Sequence, residues 1–387
     1  MKNIKLMNKI AAIGTDRLDR AKYNVGDDIA NPDAIMVRSA ALHDLEFNPE
    51  LLAIARCGAG VNNIPIDRCS EAGIVVFNTP GANANGVKEL AICALMLAAR
   101  DISGGMEYVK TLEGTENVAK TVEKGKAAFV GQEIGGKTLG VIGLGAIGGM
   151  VATTATHLNM NVIGCDPYLT VEGAWNLSRN VRKAPTFEAV FKEADYITLH
   201  VPATDETRNM INKDTIAMMK DGVRIINLSR ADLVNIEDMK EALASGKVAR
   251  YVTDFPTEAS VGVKGIVNIP HLGASTEESE ENCAVMAADE LDEFLTTGNI
   301  RNSVNYPAVS MPHSGDVRVC VFHANIPAVI TKIAGAIADE GINIENLINK
   351  SKGPNAYTVA EIKGDITETI VEKLSKIEGF RRALIIR

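Results

Sequence analysis

The stretch Val141-Ile142-Gly143-Leu144-Gly145-Ala146-Ile147-Gly148 constrains this chain more than any other. The apolar run 139–142 reads as a short buried strand, and Gly143, Gly145 and Gly148 then form G-x-G-x-x-G at the start of a helix. Gly143 permits a tight turn, Gly145 lets the main chain approach a pyrophosphate, and Gly148 lets the helix lie close to the strand. The N-terminus of that helix offers unpaired N–H groups and a partial positive charge to an anion. A second strand, residues 161–165, ends at Asp166, 18 residues after Gly148. A carboxylate there accepts hydrogen bonds from a ribose diol and repels a 2′-phosphate, which points to NAD rather than NADP. The bland reading, a packing turn without a ligand, leaves the strand–helix–strand–acid order unaccounted for.

A length of 387 residues suggests two or three domains. A net charge of -9 argues against nucleic-acid or anionic-membrane partners. Cys57, Cys69, Cys93, Cys165, Cys283 and Cys320 show no C-x-x-C spacing and read as reduced core residues of a cytoplasmic protein. No signal-peptide pattern is present, and the longest apolar run, 90–99, is too short to span a bilayer. The six histidines are scattered, so no metal site is expected, and neither a P-loop nor G-x-S-x-G occurs.

Strand and helix signals alternate, which predicts an α/β fold of two Rossmann-like, doubly wound parallel-sheet domains. Strands over 34–37, 51–54 and 74–77 end in Arg38-Ser39, in Arg56 followed by the loop 57–63, and in Asn78-Thr79-Pro80. Ligands collect beyond the carboxyl ends of parallel strands, and arginine suits carboxylate or phosphate through its planar fork. Taken singly, Arg38 and Arg56 are as well read as surface charges; their matching positions favour the anion reading. One long helix is expected over 89–110 and a surface helix over 111–127. Strand ends after 138 bring Val201-Pro202, Leu228-Ser229-Arg230, Asp254 with Glu258, and His271-Leu272-Gly273-Ala274. A long helix is expected over 276–297 and a linker over 308–315. The tail, 316–387, reads as βαββαβ, with helices over 326–341 and 367–377.

Hydride transfer from an alcohol needs a nicotinamide, a base for the hydroxyl proton and a cation for the neighbouring carboxylate. His271 suits the base, because its unperturbed pKa lies near neutrality. Glu258 would hydrogen-bond the other ring nitrogen, and Arg230 would bind the carboxylate bidentately. Each has a duller reading: a turn-capping histidine, a solvated acid, a surface ion pair. The three together, all at strand carboxyl ends, carry more weight than any one.

These residues resemble the D-isomer-specific 2-hydroxyacid dehydrogenase family over nearly the whole chain. The matching motifs are 37–40, 56–63, 78–80, 143–148, Asp166-Pro167, 227–230, 254–258 and 270–276. The resemblance implies catalysis by Arg230, Glu258 and His271. It implies NAD contacts from Gly143, Gly145, Ala146, Ile147, Gly148, Asp166, Pro167, Val201, Pro202, Leu228, Ser229, Asp254, His271, Gly273 and Ala274. Substrate contacts would come from Arg38, Ser39, Arg56, Gly58, Ala59, Gly60, Asn63 and Arg230. It implies a discontinuous substrate-binding domain (1–98 with 275–307), an NAD-binding domain (99–274), the linker, and a ferredoxin-like regulatory ACT domain (316–387). Within the family the implied reaction is oxidation of 3-phospho-D-glycerate by NAD, the first step of serine synthesis. L-serine would be the effector, meeting His323, Asn325 and Asn343 in a homodimer or homotetramer paired through its tails. A sister activity on glyoxylate or hydroxypyruvate, and a non-enzymatic NAD sensor, are the rival readings. Two departures stand out: Ala231-Asp232 replace a usual glycine pair, and Asp254-Phe255-Pro256-Thr257-Glu258 is one residue shorter than usual.

Overall fold

The computed structural model describes residues 1–364, 366 and 368–387, without the side chain of Glu368. The backbone divides into two compact units, Met1–Asn83 with Glu277–Arg387, and Ala84–Thr276.

The first unit holds two sheets. One is parallel throughout: β1 (Lys2–Met7), β2 (Tyr23–Gly26), β3 (Ala34–Val37), β4 (Ala53–Arg56) and β5 (Val75–Asn78), in the order β2-β1-β3-β4-β5. The sequence pattern marks β3 to β5 but not β1 and β2. β1 carries three lysines and asparagines among its six residues, and only Ile4 in it is buried, so no apolar run reveals it. The order reverses between β1 and β3, which places Arg38 at the switch point where ligands collect in such sheets. The Glu277–Thr297 helix covers this sheet with Cys283, Ala287, Leu291 and Phe294. Its acidic first turn complements the helix dipole.

The second unit is one parallel sheet of β6 (Thr138–Ile142), β7 (Asn161–Cys165), β8 (Val181–Lys183), β9 (Tyr196–Leu199), β10 (Val223–Asn227), β11 (Val248–Thr253) and β12 (Ile266–Asn268). The order β12-β11-β10-β9-β6-β7-β8 turns back at β6, so the glycine turn after β6 sits at this sheet's switch point. Both faces are covered, and the inner strands β6, β7, β9 and β10 are accordingly near-continuous apolar runs. The helix expected over 89–110 is two helices, Ala84–Ala99 and Ile102–Lys110. Asp101 breaks it: its carboxylate caps Gly104 N–H at 3.1 Å and pairs with Arg250 at 2.7 Å. In 111–127 only Val118–Gly125 is α-helical, followed by a 3₁₀ turn at Lys126–Phe129.

The tail is antiparallel: β13 (Val317–Ala324), β14 (Ile344–Lys352), β15 (Asn355–Ile362) and β16 (Phe380–Ile386), in the order β14-β15-β13-β16. Helices Val329–Ala338 and Glu368–Ser375 complete βαββαβ; the expected start of the latter at Thr367 lies outside the described residues. Successive β13 side chains point to opposite faces. Val317, Val319 and Val321 meet the two tail helices, while Cys320 and Phe322 join Phe77, Phe294 and Tyr306 of the body. The tail sheet is therefore sandwiched, not tethered. The linker is packed too, with Val309 and Met311 buried.

Arg318 fastens this junction. It is fully buried, pairs with buried Glu361 at 2.6 Å, and donates to the carbonyls of Thr297 (2.5 Å) and Met311 (2.8 Å). Burial alone would raise the Glu361 pKa, but hydrogen bonds from Ser314 and Arg318 outweigh it and hold the group at about 2. A depressed carboxyl contributes stability that is present above its unfolded pKa and is lost as pH falls through the folded one. Stability from this pair should thus decline from about pH 4.5 toward pH 2. Arg318→Met strands a buried charge and should cost about 3–5 kcal/mol, with Arg318→Met/Glu361→Met recovering most of it. Urea denaturation followed by fluorescence checks both, and equal losses in the single and double variants would contradict the account.

Candidate active site

Gly143 leaves β6 at φ +86°, and a Cβ there would lie 2.5 Å from the His200 carbonyl oxygen and 2.9 Å from Val201 Cγ1. A Cβ on Gly148 would stand 1.9 Å from the Gly143 carbonyl oxygen, so the helix Ala146–His157 reaches the strand only because residue 148 has no side chain. At Gly145 a Cβ would meet nothing within 4 Å, and this open space is what a main-chain approach to pyrophosphate requires. Ile147 and Ala274 pack against the apolar core of this unit, and Leu228 is buried in it. His200 underlies the turn. Its Nε2 meets Thr198 Oγ1 at 2.9 Å, and burial pushes its pKa down to about 4, so it is neutral there.

Asp166 closes the turn. Its carboxylate accepts from Leu144 N–H at 2.9 Å and Tyr168 N–H at 2.8 Å. Each oxygen keeps acceptor capacity for a diol. Beyond it lies a cavity of about 810 Å³ lined by Asp166, Pro167, Thr170, Trp175, Arg179 and Lys183. Trp175 is 84% exposed at its edge, an apolar ring available for a base.

Three loops at the carboxyl ends of β10, β11 and β12 carry the remaining candidates. Asn227, missed among the candidates, is fully buried and holds the first loop. Its Nδ2 donates to the Arg230 carbonyl at 2.8 Å and its Oδ1 accepts from Ser229 N–H at 3.1 Å. Ser229 Oγ donates to the Leu199 carbonyl at 2.7 Å, and the Pro202 carbonyl accepts from Thr207 Oγ1 at 2.6 Å. The Arg230 guanidinium is exposed and lies 5.9 Å from the Phe255 ring centre. Just after it, Ala231-Asp232 begin a 3₁₀ turn, with Asp232 paired to Arg208 at 2.8 Å.

His271 adopts φ +47°, a left-handed conformation that side-chain-bearing residues rarely take. It is kept there by Asp254. The Asp254 carbonyl accepts from His271 N–H at 3.0 Å, and Asp254 Oδ2 accepts from Gly273 N–H at 3.1 Å. Asp254 Oδ1 is buried with no hydrogen-bond partner among the described residues. Burial pushes the Asp254 pKa up, against the pull of Gly273 N–H, His271 and Arg230. The imidazole stacks, tilted by 48°, on Phe255 at 4.7 Å. Phe255 thus touches both His271 and Arg230, a role its place in the sequence does not reveal. Glu258 is exposed, and among the described residues no hydrogen bond joins it to His271. The expected histidine–glutamate contact is absent from this conformation; the shortened loop sets an aromatic ring, not a carboxylate, against the imidazole.

The first unit holds the other candidates. Arg56 donates to the Cys57 carbonyl at 3.2 Å, and a Cβ on Gly58 would fall 1.2 Å from Arg56 Nη1, so the glycine makes room for the guanidinium. Asn63 ties the two loops, donating to the Ala40 carbonyl at 2.8 Å, and Ala59 is held by Asn78 at 2.7 Å; Gly60 is partly exposed between them. Ser39 and Ala40 N–H are not free for a ligand, since Asn8 Oδ1 accepts from both, at 2.9 and 2.8 Å. Among the described residues no group of three or more His, Cys, Asp or Glu side chains could hold a metal ion.

Residues 93–273 match the model of the D-isomer specific 2-hydroxyacid dehydrogenase NAD binding domain. The chain is 30% identical over 364 residues to D-3-phosphoglycerate dehydrogenase 1 of Saccharomyces cerevisiae, covering 86% of this chain and 74% of that protein. It belongs to the D-isomer-specific 2-hydroxyacid dehydrogenase family. A D-3-phosphoglycerate dehydrogenase of Bacillus subtilis is 36% identical over 311 residues, 77% of this chain and 57% of its own length. The chain thus spans little more than half of that relative. The crystal structure of NAD⁺-bound 3-phosphoglycerate dehydrogenase from Entamoeba histolytica superposes with a TM-score of 0.61 at 26% identity. It covers 79% of this chain and 98% of that one. The free space at Gly145, the acceptors of Asp166 and the unpartnered Asp254 Oδ1 fit NAD as this family's cofactor.

Asp166→Ala should weaken NADH binding about tenfold and bring the NADH and NADPH affinities together. Fluorescence titration with both cofactors reads this directly, and an unchanged ratio would reduce Asp166 to a pin of its turn.

Proposed function

We propose that this chain oxidises 3-phospho-D-glycerate to 3-phosphohydroxypyruvate with NAD, the entry step of serine synthesis in the cytoplasm. The observation that carries the reading is the constellation in the NAD-binding unit, with His271 set by Asp254 and both His271 and Arg230 close to Phe255. Bound NAD accepts the hydride of substrate C2. His271 takes the hydroxyl proton, and the exposed Arg230 fork binds the carboxylate. Glu258 steadies the imidazolium after a loop adjustment, while Arg38 and Arg56 meet the phosphate. The relatives named for this activity support the substrate, and so do two arginines at adjacent strand ends, of which Arg56 has no carboxylate partner among the described residues.

The tail supports a second part of the reading: an ACT-type regulatory domain that binds L-serine and pairs between copies in a homodimer or homotetramer. The antiparallel βαββαβ order fits, and β14 is an outer strand of nine residues open to pairing. Asn325 and Asn343 are exposed and suit a zwitterion. His323 does not: it is 2% exposed, and its ring nitrogens are engaged by the Ala324 carbonyl, Asn349 and Thr358. The effector site would therefore rest on the two asparagines, with His323 bracing the sheet behind them.

His271→Ala should lower kcat by about 10²- to 10⁴-fold while NADH affinity stays within about twofold. Stopped-flow reduction of 3-phosphohydroxypyruvate, hydroxypyruvate and glyoxylate, with a parallel NADH titration, checks both base and substrate. A preference for the unphosphorylated acids would select the sister activity, and turnover surviving in His271→Ala would refute the base. For the tail, calorimetry should detect L-serine binding that Asn325→Ala/Asn343→Ala abolishes; equal heats in both proteins would end the effector proposal.

A further inference from the structure

The two arginines of the first unit are not equivalent. Arg38, after β3, has its Nη2 in contact with Glu280 Oε1, and the side chains remain 43% and 41% exposed. Glu280 stands in the first turn of the Glu277–Thr297 helix, where the dipole favours a carboxylate. Arg56, at the end of the adjacent β4, has no carboxylate partner among the described residues, and its buried Nε has no hydrogen-bond partner. The two cations are near enough that Arg38 disfavours the charge on Arg56. The strand ends therefore present one open guanidinium and one occupied by an internal anion.

We propose that Glu280 is a specificity-determining residue: it competes with the substrate's phosphate for Arg38. The inference rests on the reading of Arg38 as a phosphate ligand. A ligand must then exchange one anion for another at Arg38. A monoanionic carboxylate gains little by that exchange. A phosphate dianion, with three acceptor oxygens, gains a charge-assisted fork to Arg38 and still reaches Arg56. An exposed pair of this kind is held weakly, so Glu280 imposes a modest threshold and leaves binding intact. It thereby weakens binding through the phosphate and leaves unphosphorylated acids unaffected, at a position that no motif of the NAD-binding unit touches.

A double-mutant cycle tests this on the full-length protein, with NADH and either 3-phosphohydroxypyruvate or hydroxypyruvate, which lacks the phosphate. Glu280→Gln, which keeps the shape and removes the charge, should lower KM for the phosphorylated acid about two- to fivefold. Its kcat should move less than its KM, and KM for hydroxypyruvate should be unaffected. Arg38→Gln should raise KM for the phosphorylated acid. Adding Glu280→Gln to Arg38→Gln should then change nothing further, because Glu280 acts only through Arg38. If Glu280→Gln leaves KM unchanged or raises it while Arg38→Gln raises it, competition is refuted and the glutamate is a surface partner or a scaffold. If Arg38→Gln itself has no effect on the phosphorylated acid, the assignment of Arg38 to the phosphate falls, and this inference with it. A benefit of Glu280→Gln that persists in the Arg38→Gln background would also overturn it, since the charge would be acting through something else.

Discussion

The loop that carries His271 hangs from one buried residue, Asp254. Asp254 sits at the end of β11 and, through its carbonyl and Oδ2, accepts the N–H groups of His271 and Gly273. Those two bonds hold His271 in a left-handed conformation that costs about 1–2 kcal/mol in isolation. The imidazole can then lie on Phe255. The remaining oxygen of Asp254 is left buried and, among the described residues, without a protein partner. A buried unpaired acceptor costs about 1–3 kcal/mol, a cost that a donor from a bound molecule would relieve. Main chain and side chain of one residue thus share the positioning of this loop.

The same economy governs the glycine turn. Three glycines are needed for three different geometric reasons: a positive φ, an unobstructed approach, and a contact that any Cβ would block. Asp166 then does two things at once, pinning Leu144 and Tyr168 main chain while keeping acceptor capacity toward the cavity. Neutral His200 beneath the turn adds packing without adding a charge near an anion. All of these residues lie within 93–273, the stretch that matches the NAD-binding domain model.

Legibility in the sequence follows the same physics. Strands buried on both faces, such as Ala34–Val37 and Asn161–Cys165, are readable to the residue because an unbroken apolar run has few other uses. β1 and β8 escape notice because edge or thinly covered strands carry lysines, arginines and asparagines that look like loop. The false long helix over 89–110 arises because helical propensity continues through residue 100; only the capping carboxylate of Asp101 and its tie to Arg250, distant in sequence, stop it. In the site, motif residues are legible and their supports are not. Phe255, Asn8 and Glu280 have partners whose proximity is created by folding, while Asn227 holds its own turn through Ser229 and Arg230. Glu258 shows the converse: spacing nominates it, yet the shortened loop leaves it off the imidazole in this conformation.

The tail carries the consequences of packing one step further. A domain on a loose tether is free to change its average position. Here Phe322 stacks on Tyr357 and meets Tyr306 and Phe294 edge-on, and Phe294 in turn meets Phe77 of β5. Packed aromatic rings are close to incompressible, so a shift of β13 has to be taken up by the Glu277–Thr297 helix that carries Phe294. Glu280 rides on that same helix, nearly four turns earlier. The buried Arg318–Glu361 pair braces the same junction, because Arg318 also donates to the carbonyl of Thr297 at the end of that helix.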